Sequence, residues 1–194
     1  MRSWIFVKAM QIFPSRISGT YDEKMEMDGE DTYQVLERGL RSISKKPENI
    51  LDICTGTGAA VIEAARVFSE SKVEGVDQAE KMLEIAREKA RDRDIKNVNF
   101  KFGNAMELEY DDNSFDLIIT SNAPVYLSEA ARVLKPGGLI LIAFSFGGSA
   151  FASQEKHAVR YFERCGIELT DLKIIGDGAY AIGRKEEKKW KYST

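Results

Sequence analysis

From residue 49 onward, short apolar runs alternate with amphipathic stretches, and the two patterns predict different elements. Ile50-Leu51-Asp52-Ile53, Val73-Glu74-Gly75-Val76-Asp77 and the alternating Val98-Asn99-Phe100-Lys101-Phe102 read as strands. So do residues 115–120, apolar apart from Asp116, and 139–146, the most apolar stretch of the chain. Between them lie helical patterns. Residues 59–68 are rich in helix formers. In 79–93, Ala79, Met82, Leu83, Ala86 and Ala90 recur at helical spacing while Glu84, Arg87 and Glu88 fill the opposite face. A short helix over 126–134 is expected to stop at Pro136-Gly137-Gly138, and another is expected over 153–164. Ahead of the first strand, Tyr33, Leu36, Leu40 and Ile43 share one face of a helix over 31–43.

Strands alternating with helices imply βαβ units and a parallel sheet covered on both faces. The end of the chain differs. Strands over 167–175 and 179–184 are joined only by Gly176-Asp177-Gly178, which permits a hairpin and is too short for a crossover, so the last two strands pair antiparallel.

Composition narrows the class. The chain has 194 residues, 43% of them hydrophobic, enough for one compact domain and incompatible with a mostly disordered or collagen-like chain. With 28 Lys+Arg against 31 Asp+Glu the net charge is −3, which argues against a nucleic-acid-wrapping protein. Cys54 and Cys165 belong to no CxxC pair and His157 is the single histidine, so neither a disulfide framework nor a metal centre is expected. Lys8 interrupts the apolar Trp4-Ile5-Phe6-Val7, and no stretch approaches the roughly 20 residues that span a bilayer. The expected compartment is the cytoplasm, with no membrane partner.

The chemistry concentrates at Ile50-Leu51-Asp52-Ile53-Cys54-Thr55-Gly56-Thr57-Gly58-Ala59, a strand-to-helix turn whose glycines let the backbone approach a ligand. A dinucleotide fingerprint wants a third small residue where this chain has Val61, so an NAD site is disfavoured. Asp77 follows at the end of the second strand, where a carboxylate can accept both hydroxyls of a ribose. Gly103-Asn104-Ala105 comes after the third strand, Phe115-Asp116-Leu117-Ile118-Ile119 forms the fourth, and Glu129-Ala130-Ala131-Arg132-Val133-Leu134-Lys135-Pro136-Gly137-Gly138-Leu139 follows.

This series resembles the class I S-adenosylmethionine-dependent methyltransferases, closest to the small-molecule group of ubiquinone and menaquinone biosynthesis. The resemblance implies an α/β, three-layer, Rossmann-like fold: a seven-stranded, mostly parallel sheet with an antiparallel last strand and helices on both faces. It implies an N-terminal helical cap or lid in 1–48, a cofactor-binding core in 49–185 and a solvated tail in 186–194. Asp52 and the backbone of Cys54, Gly56 and Gly58 would hold the methionyl end of S-adenosylmethionine. Asp77 would take the ribose, Gln78 and Met82 would border adenine and sugar, and Asn104 with the Ala105 amide would meet the adenine edge. Ser121 and Asn122 would lie near the transferred methyl group. Tyr21-Asp22 resembles a pair that closes over such sites. Cys54 stands where many members carry glycine, and Asn104 where many carry aspartate.

Bland alternatives exist at several positions. Cys54 reads as a small packing residue, Asp116 as a structural strand residue, and Tyr21 and Tyr126 either line the site or pack. His157 invites a general-base role, yet Ala158, Val159 and Phe162 mark its helix's apolar face and place it toward solvent. The six carboxylates of residues 22–31 read as a solvated lid, and the basic, Trp190-bearing end as a solvated terminus. The expected reaction is methyl transfer to a small molecule, since no inserted recognition domain separates the motifs. The alternatives are an RNA or protein methyltransferase, for which Ser121-Asn122-Ala123-Pro124-Val125 lacks the Asn-Pro-Pro-aromatic tetrad, and a cofactor-binding module without turnover.

Overall fold

A computed structural model describes residues 31–148 and 155–187. Tyr21, the carboxylates of 22–30 and the tail beyond 187 lie outside the described residues. In chain order the elements are α1 (Asp31–Arg41), β1 (Asn49–Ile53), α2 (Ala59–Val67), β2 (Lys72–Asp77), α3 (Glu80–Asp92), β3 (Val98–Phe102) and β4 (Phe115–Ser121). They continue with α4 (Leu127–Val133), β5 (Leu134–Phe144), α5 (Glu155–Arg164), β6 (Ile167–Ile175) and β7 (Gly178–Lys185).

The strands form one seven-stranded sheet in the order β3-β2-β1-β4-β5-β7-β6. Pairing is parallel from β3 through β5, and β7 runs antiparallel to both β5 and β6. The expected mostly parallel sheet with its antiparallel last strand is what the chain builds.

Side-chain alternation splits the core in two. Ile50, Leu117, Ile119, Leu141 and Ala143 pack on one face beneath α1, α2 and α3, while Leu51, Ile53, Ile118, Ile140 and Ile142 pack on the other beneath α4 and α5. α1 belongs to this packing. Val35, Leu36 and Leu40 are buried in the same cluster as Leu141, Tyr180 and Ile182, and a side chain on Gly39 would come within 2.7 Å of Leu141. Val35 rather than Tyr33 completes the buried stripe of that helix.

One boundary departs from expectation. Pro136-Gly137-Gly138 does not end a helix at a distance; α4 stops at Val133 and β5 begins at once. The pairing jumps from Phe115↔Leu134 to Leu117↔Leu139, so the Lys135–Gly138 stretch is accommodated as an irregularity inside the strand. Gly137 takes φ 74, a conformation glycine adopts without steric cost, and Pro136 has no ladder N–H to lose. Asp116 pins this end: it accepts the N–H groups of Glu48 and Asn49 (3.2 and 2.9 Å) and pairs with Lys135 at 2.9 Å. Burial pushes its carboxyl upward, but those bonds outweigh it and hold the acid below its ordinary value. Asp116 is therefore a structural staple, as expected.

Candidate active site

In the order β3-β2-β1-β4-β5, the chain winds outward in opposite directions from the β1/β4 pair. Neighbouring crossovers there leave to opposite sides, opening a crevice at the carboxyl ends of β1 and β4, where open α/β sheets bind ligands.

The β1 side is shaped by backbone. Cys54, Gly56 and Gly58 all take positive φ (59, 53 and 81) as the chain leaves β1 and enters α2. The two glycines are needed for different reasons. A Cβ on Gly58 would stand 2.8 Å from the Ala86 Cβ and 3.0 Å from the Phe100 ring, so this glycine lets the turn lie against α3. Among the described residues a Cβ on Gly56 would meet nothing within 4 Å, so this glycine borders open space at the end of β1. The Gly56 N–H donates to Asp77 Oδ2 and the Ala79 N–H to Asp77 Oδ1, each at 2.9 Å, which fixes the carboxylate's orientation at the end of β2. Gly103 donates to the Asp77 carbonyl at 3.0 Å and so draws the β3 end onto the same rim.

Asp52 is the unusual group. Alternation turns it toward the α1–α3 face, it is 1% exposed, and neither carboxylate oxygen has a hydrogen-bond partner among the described residues. Burial pushes its pKa from 3.8 up to about 7, the Thr55 hydroxyl opposing from outside good bonding geometry and the Asp77 charge adding to the rise. Leaving such a group unsatisfied costs stability, so a donor or cation in the crevice would find a partner waiting. Cys54 is pushed up to about 12 by burial and by the charges of Asp77 and Asp52, which makes it a poor nucleophile and supports its reading as a packing residue.

At the ends of β2 and β3, where the resemblance expects the adenine, Gln78 and Asn104 are exposed, Met82 is half-buried and Ala105 is buried. The Asn104 carbonyl, expected to face adenine, accepts the Met106 N–H at 2.9 Å and closes the local turn. Phe102 and Met106 stand beside it with 59% and 66% exposure. The sequence pointed to neither; Phe102 shares the face of the buried Phe100 in β3 and is nonetheless exposed.

On the β4 side, Ser121 ends the strand half-buried, paired with Ala143. Asn122 takes φ 51; its Nδ2 donates to Ser145 Oγ at 3.0 Å and its Oδ1 accepts the Ser145 N–H at 2.8 Å. Tyr126 packs with Cys54 on the second core cluster, and burial, with Cys54 nearby, raises its phenol. His157 is exposed on the first turn of α5. Among the described residues no three metal-ligating side chains cluster.

Glu129 and Arg132 were singled out by sequence only as part of a motif. Arg132 bonds both Glu129 oxygens (2.7 and 3.0 Å), Asp112, and the carbonyls of Tyr110 and Leu108, while Glu129 accepts the Leu108 N–H at 2.8 Å. The pair ties the β3–β4 loop to α4. An open groove of about 650 Å³ runs along this loop between Met106 and Arg132, and Met106 is the residue it shares with the β3 end of the crevice.

Residues 44–166 match a family described as a methyltransferase domain. The chain is 38% identical to the demethylmenaquinone methyltransferase of Bacillus cereus, over 77% of this chain and 84% of that protein. It is 43% identical over 102 residues to that of Listeria welshimeri, spanning 48% of this chain and 43% of that protein, so this match covers less than half of the relative's length. Among solved structures, a SAM-dependent methyltransferase from Aquifex aeolicus superposes with a TM-score of 0.68 at 20% identity, over 84% of this chain and 97% of that one, a likeness of fold.

Proposed function

The chain belongs to the methyltransferase domain family, and from that premise we propose that it transfers a methyl group from S-adenosylmethionine to a small-molecule acceptor, releasing S-adenosylhomocysteine. The observation that carries the reading is the crevice itself: a buried carboxylate without a partner among the described residues, beside a glycine that none of them crowds and an oriented second carboxylate.

The residues suit that cofactor. Asp52 with the Cys54–Gly58 backbone takes the ammonium-bearing methionyl end, and Asp77 takes the ribose hydroxyls with the oxygen capacity its two backbone bonds leave over. Gln78, Met82, Asn104 and Ala105 border the base, joined by Phe102 and Met106, whose exposed apolar surface suits a flat ring. Ser121 stands at the methyl-bearing end. The bound cofactor supplies a sulfonium-activated methyl group, so this protein's part is alignment and exclusion of water, worth about 7–11 kcal/mol in favourable cases. A neutral amine attacks through its own lone pair without a base, whereas a hydroxyl or carbon acid needs one and a thiol must first lose its proton. Tyr126, its phenol held in the protonated form, serves as a hydrogen-bond donor there rather than a base.

The name of the Bacillus and Listeria relatives makes a reduced demethylmenaquinone the first acceptor to try. In this reading residues 49–185 are the cofactor core, 1–48 add the acceptor-facing cap, and 186–194 are a solvated tail. The working compartment is the cytoplasm; among the described residues no helix is long and apolar enough to cross a membrane.

Calorimetry with S-adenosylmethionine, S-adenosylhomocysteine and NAD tests the cofactor: binding of the first two and not the third is expected, and the reverse would sink the assignment. Labelled cofactor incubated with reduced short-chain demethylmenaquinone, and separately with an RNA and protein extract, then tests the acceptor. Label in the macromolecular fraction alone would replace the small-molecule reading.

A further inference from the structure

Asn122 carries an arrangement that cofactor binding does not need. It sits one residue past β4 in a left-handed conformation (φ 51), which costs an asparagine less than most residues. Its backbone N–H donates to the Ala143 carbonyl at 2.9 Å, extending the β4–β5 ladder by one step. There the ladder ends, and the side chain takes over. Nδ2 donates to Ser145 Oγ, and Oδ1 accepts the Ser145 N–H, so the carboxamide meets Ser145 through both its ends.

The segment that follows is gripped from its other side. The Gly148 N–H donates to the Asp177 carbonyl at 2.7 Å, in the turn between β6 and β7. A Cβ on Gly148 would come within 2.3 Å of the Gly178 carbonyl oxygen, and one on Gly178 within 2.4 Å of the Phe144 carbonyl oxygen. Residues 145–148 are thus wedged between the end of β4 and the β6–β7 hairpin. They leave β5 at the carboxyl end of the sheet, beside Ser121 and across the crevice from the cofactor turn.

Resting on the reading of this crevice as a methyl-transfer site, we infer that Asn122 is a positioning residue. Through Ser145 it holds segment 145–148 as the acceptor-side wall and touches neither cofactor nor acceptor. Its two side-chain bonds fix the plane of the carboxamide against Ser145, so its orientation is set by the wall. The consequence is a division of labour: the wall governs how the acceptor is aligned, while cofactor affinity is set across the crevice by Asp52, Gly56 and Asp77.

The test compares Asn122→Gly, which tolerates the same φ without the clamp, with Asn122→Asp, whose carboxylate can accept from both the Ser145 N–H and O–H. Three measurements apply to each full-length variant: amide hydrogen exchange of residues 145–148 in the free protein, calorimetric affinity for S-adenosylmethionine, and methyl transfer to reduced short-chain demethylmenaquinone. Asn122→Gly is expected to speed exchange about tenfold and lower acceptor kcat/KM by about tenfold or more, with cofactor affinity within about threefold. Asn122→Asp is expected to restore the first two. Unchanged exchange in Asn122→Gly, failure of Asn122→Asp to rescue, or a loss of cofactor affinity equal to the loss of turnover overturns the inference. If the wild-type protein does not methylate the quinol, that acceptor fails, and the exchange and rescue data still decide the clamp.

Discussion

On the β1–β2 side of the crevice a carboxylate is left unpartnered and a second is aimed, whereas at the ends of β4 and β5 Asn122 and Ser145 are spent on each other. Among the described residues Asp52 has no partner and Gly56 faces space, while Asp77 is aimed by two backbone N–H groups. Across from them, Asn122 and Ser145 satisfy each other. The difference teaches which half is completed by a ligand. An open, pre-aimed set of donors and acceptors binds; an internally closed pair shapes.

The largest expected effect tests the open side at its centre. Asp77→Ala removes the proposed ribose ligand and also the acceptor that holds the Gly56 N–H, so one substitution disturbs two parts of the cofactor site. Hydrogen bonds to charged groups are worth about 1.5–3 kcal/mol each, so calorimetry is expected to show S-adenosylmethionine affinity down by at least about a hundredfold. Affinity within threefold of the wild type would break the proposed contrast at once. Asn122→Gly, on the other side, should leave this quantity nearly alone.

The two glycines split the open side further. Gly58→Ala forces a Cβ into the Ala86 and Phe100 contacts at φ 81, and overpacking with left-handed strain is expected to cost about 2–4 kcal/mol in denaturant unfolding. Gly56→Ala adds a Cβ to empty space at φ 53, so stability should fall by only about 1 kcal/mol. Its affinity for the cofactor should fall more than its stability does. Equal stability losses for the pair would mean that the turn is not packed on α3.

How much of this was visible in the residues alone depends on the range of the interaction. The β1 turn was legible because its glycines and Asp77 lie at the ends of local, periodic elements. The helix over 59–68 announced itself by its helix-forming residues and that over 79–93 by spacing, and both formed within a residue or two of expectation. The Asn122–Ser145 pair joins residues just past the ends of two strands, and no local pattern announces which side chain a strand-end asparagine will find. The Arg132 network was hidden for the same reason, since its partners lie in a loop without periodicity. Pro136-Gly137-Gly138 reads locally as a stop, but tertiary pairing with β4 kept the segment inside a strand. Tyr21 falls outside the described residues.

Asp52 offers a sharper test than deletion, because its effect on the protein reverses with its charge. The folded chain keeps a proton on this acid up to a pH of about 7, while the unfolded chain releases it near the ordinary 3.8. Stability therefore contains a favourable contribution that is complete below the lower value and erodes as pH rises through the window to about 7. Cofactor binding runs the other way. A cationic methionyl end favours the ionised carboxylate, so affinity is expected to rise by up to about tenfold per pH unit below 7 and then level off. Asp52→Asn should flatten both profiles, raise stability near pH 8 and weaken the cofactor. A pH-independent affinity in the wild-type protein would mean that Asp52 does not meet the cofactor's charge.

Cys54→Gly probes the smallest term. At φ 59 a glycine relieves about 1 kcal/mol of left-handed strain, and it gives up a thiol packed against the second core cluster beside Tyr126. The two contributions oppose each other at similar size, because burying a small apolar side chain is worth about 1 kcal/mol or slightly more. Unfolding measurements should therefore show a change of less than about 1 kcal/mol, and S-adenosylmethionine affinity should stay within about threefold, since the turn offers the ligand its backbone rather than this side chain. A large affinity loss would place the thiol itself against the ligand. The open side would then owe part of its binding to a side chain, and its contrast with the closed side would narrow to the two carboxylates.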